Sequence, residues 1–357
     1  MFLEAILMKK RKIKAEMIVF GIIILFVVLS SYLVTIPQKS VNSSLPYLGK
    51  APELVGTQEW INSEPLTIEN LRGKVILVDF WTYSCINCIR TLPYLKSWHE
   101  KYGNNGLVII GVHTPEFEFE KDYGNVKNAV EKYKIKYAVV QDNNYATWNA
   151  YNNHYWPRKY VVDKDGNIRY DHIGEGAYEE TEKVIIDLLK EIKPDVSNVT
   201  INISSDVNFS EIGTPELYFG YKFSRTSLGN EEGFSPGDVV DYKHAEINRP
   251  NTIYLSGSWK NEADKMIAVG NSSIFLLYKA KNVNIVAGGD SSIDVFLDDN
   301  YLQKNSYGTD AKAENEKSIV RIDSHRLYNI VSTPDYEIHV LQINASNGFE
   351  IYTFTFG

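Results

Sequence analysis

The run Lys74–Thr82, KVILVDFWT, is apolar but for its first residue, Asp79 and Thr82, and leads within three residues to Cys85-Ile86-Asn87-Cys88. So continuous an apolar strand suits a sheet covered by helices on both faces. Residues 86–102 follow at helical spacing, with Pro93 inside and Gly103 and Gly106 as the stop. The cysteines therefore sit where a buried strand hands over to a helix. They are the 2 cysteines of a 357-residue chain, which excludes a multi-disulfide scaffold and a four-thiolate zinc site.

The pattern continues as strand and helix. GLVIIGVHT at 106–114 predicts a second strand, 125–134 a helix, and 137–141, 159–163 and 168–173 further strands. The last two are joined by the turn Lys164-Asp165-Gly166-Asn167. Residues 179–192 place Val184, Ile185, Leu188, Leu189 and Ile192 on one helical face. Alternation of this kind predicts an α/β domain over 51–193. A linker is expected at 194–212, and then the helical period disappears. Over 213–357 short strands lie between turns, and Tyr352, Phe354 and Phe356 alternate with Thr353 and Thr355. The second domain is expected to be an all-β sandwich or barrel.

Met17 to Ile36 carries no charge and matches the about 20 residues needed to cross a hydrocarbon core. Lys9, Lys10, Arg11, Lys12 and Lys14 precede it, so the positive-inside rule places residues 1–16 in the cytoplasm and the rest outside. An uncleaved signal anchor at 17–36, a Ser/Asn/Pro-rich tether at 37–50 and an extracytoplasmic catalytic domain at the cell membrane are expected. Sequons at Asn42, Asn198, Asn202, Asn208, Asn271 and Asn344 all fall on the outer side. A formal charge of −8 argues against nucleic acid as a partner.

At the start of a helix, Cys85 meets free backbone N–H groups and the positive end of the dipole, which favour a thiolate over a thiol. Cys85 is the expected nucleophile. Cys88, one turn on, can attack a mixed disulfide on Cys85 and is the expected resolving thiol. Haem attachment needs a histidine after the second cysteine, where the chain has Ile89. A zinc site needs two more ligands, and His99, His113, His154 and His172 lack ligand spacing. A purely structural disulfide gains little from so short a loop. Asp79, inside the apolar run, should have a raised pKa; it reads either as a proton acceptor for Cys88 or as a structural hydrogen-bonding group. Pro157, in Tyr155-Trp156-Pro157-Arg158, is a candidate cis linkage that would set the Trp156 backbone beside the sulfurs. Trp81 and Trp156 are the candidate client-contacting residues.

The segments KVILVDFWTYSCINCIRTLPYL, GVHTPEFEFEK and YATWNAYNNHYWPRKYVVDKDGNIRYDHIGEGAYEETEKVI resemble the thioredoxin-like domain of DipZ-type proteins, within the TlpA/ResA group of membrane-tethered thioredoxins. TPELYFGY at 214–221, YLSGSW at 254–259 and the terminal YTFTFG are similar to the β-sandwich appended to DipZ thioredoxin domains, a carbohydrate-binding-module-like fold. The resemblance implies a thioredoxin fold with Cys85 and Cys88 forming the redox disulfide, Asp79 as the buried carboxylate and Pro157 as the cis-proline.

Two departures bear on function. DipZ proteins often carry a multi-span CcdA/DsbD-like electron-transfer domain ahead of the thioredoxin part, so here electrons would come from a separate membrane donor. Ile86-Asn87 lacks the proline of the usual thioredoxin loop, which leaves the direction of transfer open. Thr91 stands where some reductases of the group carry an acidic residue, and Glu116 and Glu118 read as solvated surface groups.

The expected function is an anchored thiol–disulfide oxidoreductase that reduces disulfides in exported proteins, c-type cytochrome precursors among the candidate clients, with no bound cofactor and no metal. The alternatives are a disulfide oxidase or isomerase, and a surface module whose β domain contacts glycan through Tyr221, Trp259 or Tyr301.

Overall fold

A computed structural model describes residues 45–196 and 208–357. The expected membrane span at 17–36 and part of the linker, 197–207, lie outside the described residues. Among the described residues no helix is long and apolar enough to cross a membrane.

The first domain is a six-stranded sheet built from β1 (Trp60–Ile61), β2 (Val75–Trp81), β3 (Leu107–His113), β4 (Ala138–Gln141), β5 (Arg158–Val162) and β6 (Ile168–Ile173), in the order β1-β4-β3-β2-β5-β6. β2, β3 and β4 run parallel, while β5, β6 and β1 pair antiparallel. The helices are α1 (Ile86–Tyr102), α2 (Tyr123–Lys132), α3 (Ala146–Ala150) and α4 (Tyr178–Lys190). The observed ends lie within one or two residues of the expected ones; the short α3 and β1 have too few residues to show a period.

All 7 residues of β2 are buried. Successive side chains of a strand point to opposite faces. Ile76, Val78 and Phe80 enter the cluster with Ile110, Trp148 and Tyr160, whereas Val75, Leu77 and Trp81 pack with Leu92, Leu95 and Trp98 of α1 and Val184, Ile185 and Leu188 of α4. Asp79 has the parity of Leu77 and Trp81, so it faces α1. Each buried large apolar side chain contributes about 1.5–3 kcal/mol, so the strand readily carries one buried carboxylate.

Residues 217–356 form a 13-stranded antiparallel sheet among the described residues. The two expected layers are one hydrogen-bonded sheet rather than two, because the strand Ile253–Asn261 belongs to both. Its first half pairs with Ser272–Lys279, and its second half pairs with Val239–Tyr242 and Met266–Ala268. The switch occurs at Gly257, with φ +79 and an ideal Cβ only 2.7 Å from the Asn271 carbonyl oxygen, so any side chain there would clash. The core between the layers includes Leu255, Trp259, Ile274, Tyr278, Ile343 and Phe354. Trp259 is fully buried, which removes it as a sugar-stacking surface. Tyr301 is half-buried and stacks on Phe296 with centroids 4.3 Å apart.

Candidate active site at the strand–helix joint

Cys85 is the N-cap of α1, in extended conformation (φ −76, ψ 117), and its Sγ accepts a hydrogen bond from the Cys88 backbone N–H at 3.3 Å. The Cys85 side chain is half-buried, whereas Cys88 is 1% exposed. Both thiols are free. One sulfur can meet an incoming disulfide and the other waits behind it. Burial pushes the Cys88 thiol well above its ordinary value, and the hydrogen bond to Cys85 adds to the shift. Cys88 therefore needs a base to become a nucleophile.

Asp79 stands on the face of β2 that meets α1. It is 1% exposed, and its Oδ1 has no hydrogen-bond partner among the described residues. Burial raises its pKa from 3.8 to about 7, against a lowering by Lys159. Lys159 lies directly across the β2–β5 ladder, has no exposed surface, and donates from Nζ to the Gly174 carbonyl at 3.0 Å. Burial lowers the Lys159 pKa, while Asp79 and Cys88 oppose that shift. A lysine within the strand RKYVV was a visible signal that sequence reading did not use.

The Trp156–Pro157 bond is cis. The Pro157 carbonyl accepts from Gly174 N–H at 2.7 Å, and Trp156 donates from its indole to the Thr114 carbonyl at 3.0 Å. Trp156 is half-buried against Trp148 and offers part of its surface beside the site. Trp81 does not: it is 0% exposed and packs edge-on against His113 at 5.3 Å. The expectation that Trp81 contacts a client is thus corrected, because its place on β2 puts the indole under the sheet's helical cover.

The loop after β3 departs further from its surface reading. Glu118 is exposed and pairs with Lys121, as expected of a solvated group. Glu120 is fully buried; it accepts from the Ser84 hydroxyl and from the backbone N–H groups of Glu116 and Phe117. It ties the residue before Cys85 to this loop. Glu116 is half-buried and accepts from the Tyr218 hydroxyl at 2.7 Å, across to the β domain. Phe117 and Phe119 pack on Tyr352, with ring centroids 5.1 and 4.8 Å away. Tyr83 donates to the His325 carbonyl at 3.2 Å, and Arg90 Nη2 to the Phe356 carbonyl at 3.3 Å. The segments flanking the cysteine pair are thus fastened directly to the second domain.

Residues 50–186 match the Redoxin family, and residues 214–357 match the family described as thioredoxin like C-terminal domain. The chain is 34% identical to Protein DipZ of Mycobacterium bovis over 326 residues, covering 88% of this chain and 44% of that protein. It thus spans less than half the length of this relative. It is 33% identical over 141 residues to the thiol-disulfide oxidoreductase YkuV of Bacillus subtilis, covering 39% of this chain and 94% of that protein. It is 28% identical over 171 residues to the thiol-disulfide oxidoreductase ResA of Bacillus cereus, covering 47% of this chain and 95% of that protein. The redoxin match, the two-domain likeness to DipZ and the placement of Cys85 and Cys88 together show that the chain belongs to the thioredoxin-like thiol–disulfide oxidoreductases.

Proposed function

We propose that this chain is an extracytoplasmic thiol–disulfide reductase, held at the cell membrane by residues 17–36, that reduces disulfides in exported proteins. The observation that carries the chemistry is the paired placement of the sulfurs: Cys85 half-buried at the helix N-cap, Cys88 buried behind it on the face shared with Asp79. The Cys85 thiolate attacks one sulfur of a client disulfide, forms a mixed disulfide and expels the other client sulfur as thiolate. Asp79 takes the proton of Cys88, and the Cys88 thiolate attacks Cys85 Sγ. The second client thiolate leaves, and two electrons have passed to the client. The chain then holds a Cys85–Cys88 disulfide, which a separate CcdA/DsbD-like membrane donor reduces. C-type cytochrome precursors are the client class that the family likeness favours.

The test is trapping. A Cys88→Ser variant should accumulate covalent adducts with disulfide-bearing clients, and Cys85→Ser should form none. Retention of insulin-disulfide reduction by both variants would overturn the assignment. A Cys85–Cys88 potential of about −270 mV would fit a reductant, and one of about −120 mV would replace this direction with disulfide donation.

A further inference from the structure

The Lys159 ammonium is bonded to a glycine turn that follows β6. Gly174 and Gly176 flank Glu175 with φ of +82 and +93, a backbone conformation that residues with side chains rarely adopt. A Cβ at either glycine would meet nothing within 4 Å, so neither position offers a packing contact to hold the turn. Polar bonds hold it instead. Gly174 donates from its N–H to the Pro157 carbonyl at 2.7 Å and accepts from Lys159 Nζ at 3.0 Å. The Glu175 carbonyl lies 3.1 Å from His172 Nε2, and its carboxylate pairs with Arg90 Nη1 at 3.3 Å.

Arg90 is itself anchored on two sides. Its Nη1 also reaches Asn87 Oδ1, between the cysteines, at 3.4 Å, and its Nη2 donates to the Phe356 carbonyl at 3.3 Å. Phe356 belongs to the strand Glu350–Phe356 and pairs there with Val283, so this carbonyl is a fixed point of the β domain. The Arg90 and Glu175 side chains are only 16% and 11% exposed. Burial raises the Glu175 carboxyl, and Arg90, ahead of Lys159, opposes that rise. Arg90 thus favours an ionised Glu175 beside an ammonium that burial pushes toward neutrality. The groups facing Lys159 are Asp79 from β2, Cys88 from α1, Glu175 from the turn, and Tyr178 of α4, whose ring centroid is 5.8 Å from Nζ. Glu175 also faces Tyr94 and Tyr178, and Asp79 faces Lys159, Cys88 and Tyr137. Arg90, Glu175, Lys159 and Asp79 therefore alternate in sign, from the β domain inward to the acid on the Cys88 side of the sheet.

We propose that Glu175 is a positioning residue for the resolving step: clamped by Arg90 to the strand Glu350–Phe356, it keeps the Lys159 ammonium in place opposite Asp79. The inference rests on the exchange chemistry proposed above and adds a residue that acts on it through Lys159. The β domain then backs the counter-charge of the buried acid, and its contact with Arg90 reaches the reaction without touching a sulfur.

Two measurements on the full chain test this. Nitrogen NMR of isotope-labelled lysine side chains follows the Lys159 Nζ through pH without any turnover, its signal assigned by its loss in Lys159→Met. Glu175→Gln and Arg90→Met should each lower the pH at which Lys159 titrates, by about half a unit to one unit, and Arg90→Lys should stay close to wild type. In the second measurement the reduced chain reacts with an aromatic disulfide, which releases one coloured thiolate when Cys85 attacks and a second when Cys88 resolves. Glu175→Gln should move the inflection of the second release to higher pH by about half a unit, leave the first release nearly unchanged, and add nothing in a Lys159→Met background. A residue that only stiffens the turn would slow both releases alike or add to the effect of Lys159→Met. An unchanged Lys159 titration in Glu175→Gln, or full additivity with Lys159→Met, would overturn the proposal; Glu175→Gln is isosteric and carries the test even if Arg90→Met unfolds. If wild type released no second thiolate, the exchange chemistry would fall instead, and the Lys159 titration would still decide what Glu175 does.

Discussion

Asp79 and Lys159 stand opposite one another on β2 and β5, both with almost no exposed surface, and Cys88 lies on the face that Asp79 points to. Burial acts on the two in opposite senses: it raises the carboxyl and lowers the ammonium, so each is moved toward neutrality and each is partly restored by the other. With Asp79 brought to about 7, the carboxylate is available to accept a proton near physiological pH and can release it again.

Asp79→Asn should therefore slow the resolving step and leave the first attack by Cys85 nearly intact. The mixed disulfide should accumulate, and release of the client should fall by about 10²-fold or more, in the range of a lost general base. Rapid-quench separation of mixed-disulfide formation from release distinguishes these steps. Equal slowing of both would remove Asp79 from the proton path.

The same residue ties stability to pH. Its folded-state value, about 7, lies above the ordinary 3.8, so the native state binds the proton more tightly than the unfolded chain. The stabilisation from this group is complete below about 3.8 and is lost as pH rises through about 7. Asp79→Asn should stabilise the protein at alkaline pH, with an upper limit of about 4 kcal/mol from the roughly three-unit shift, reduced because Lys159 loses its counter-charge. Urea unfolding of both proteins at alkaline and acidic pH reads the difference, which should shrink at the acid end.

Lys159→Met removes the cation that holds Asp79 down. The pH profile of the resolving step should move to higher pH by about one unit, the expected size of one nearby opposite charge. A structural role alone would alter stability and leave the inflection in place.

The strand β2, the helix α1 and the cysteine pair were legible because their signals are local: a buried run, a helical period, a spacing of three. Asp79 was legible as a charge inside an apolar run, and Pro157 as an X-Pro bond just ahead of a strand, a reading that the likeness to the family strengthened. Glu120 and Glu116 were not, since the segment TPEFEFEK alternates polar and apolar residues and looks solvated until its phenylalanines find Tyr352 and Tyr218. Trp81 was misplaced for a related reason: period alone fixes which residues share a face, and not what covers that face. In β2 both faces are covered, and Trp259 follows the switch at Gly257 into the core.

Phe117 joins the domains, buried among Phe119, Tyr218, Phe223 and Tyr352. Phe117→Ala should destabilise the native state by about 3–5 kcal/mol, as for other buried phenylalanines cut to alanine. The loss should concentrate at the junction, with faster hydrogen exchange over 116–120 and at Phe354–Phe356 than in β3. Uniform acceleration over the whole chain would show that Phe117 supports the first domain alone.

Glu116 gives that junction its own pH dependence. Burial first and Glu216 second push its carboxyl from 4.5 up to about 8, against lowering by Tyr218 and Arg225. Glu120 adds to the rise, and Arg225 lies with its guanidinium 5.6 Å from the Tyr218 ring. A tyrosine hydroxyl has one proton to donate, and Tyr218 lies within hydrogen-bond distance of both Glu116 and Glu216, so a proton on one carboxyl completes the second bond. The folded value is again the raised one. The contribution to stability is full below about 4.5 and lost as pH climbs through about 8. Glu116→Gln keeps a neutral side chain at every pH and should flatten the fall of Tm across that window, leaving the part due to Asp79. Calorimetric scans of both proteins at several pH values read the slopes, and identical slopes would mean that Glu116 is ionised in the native state throughout.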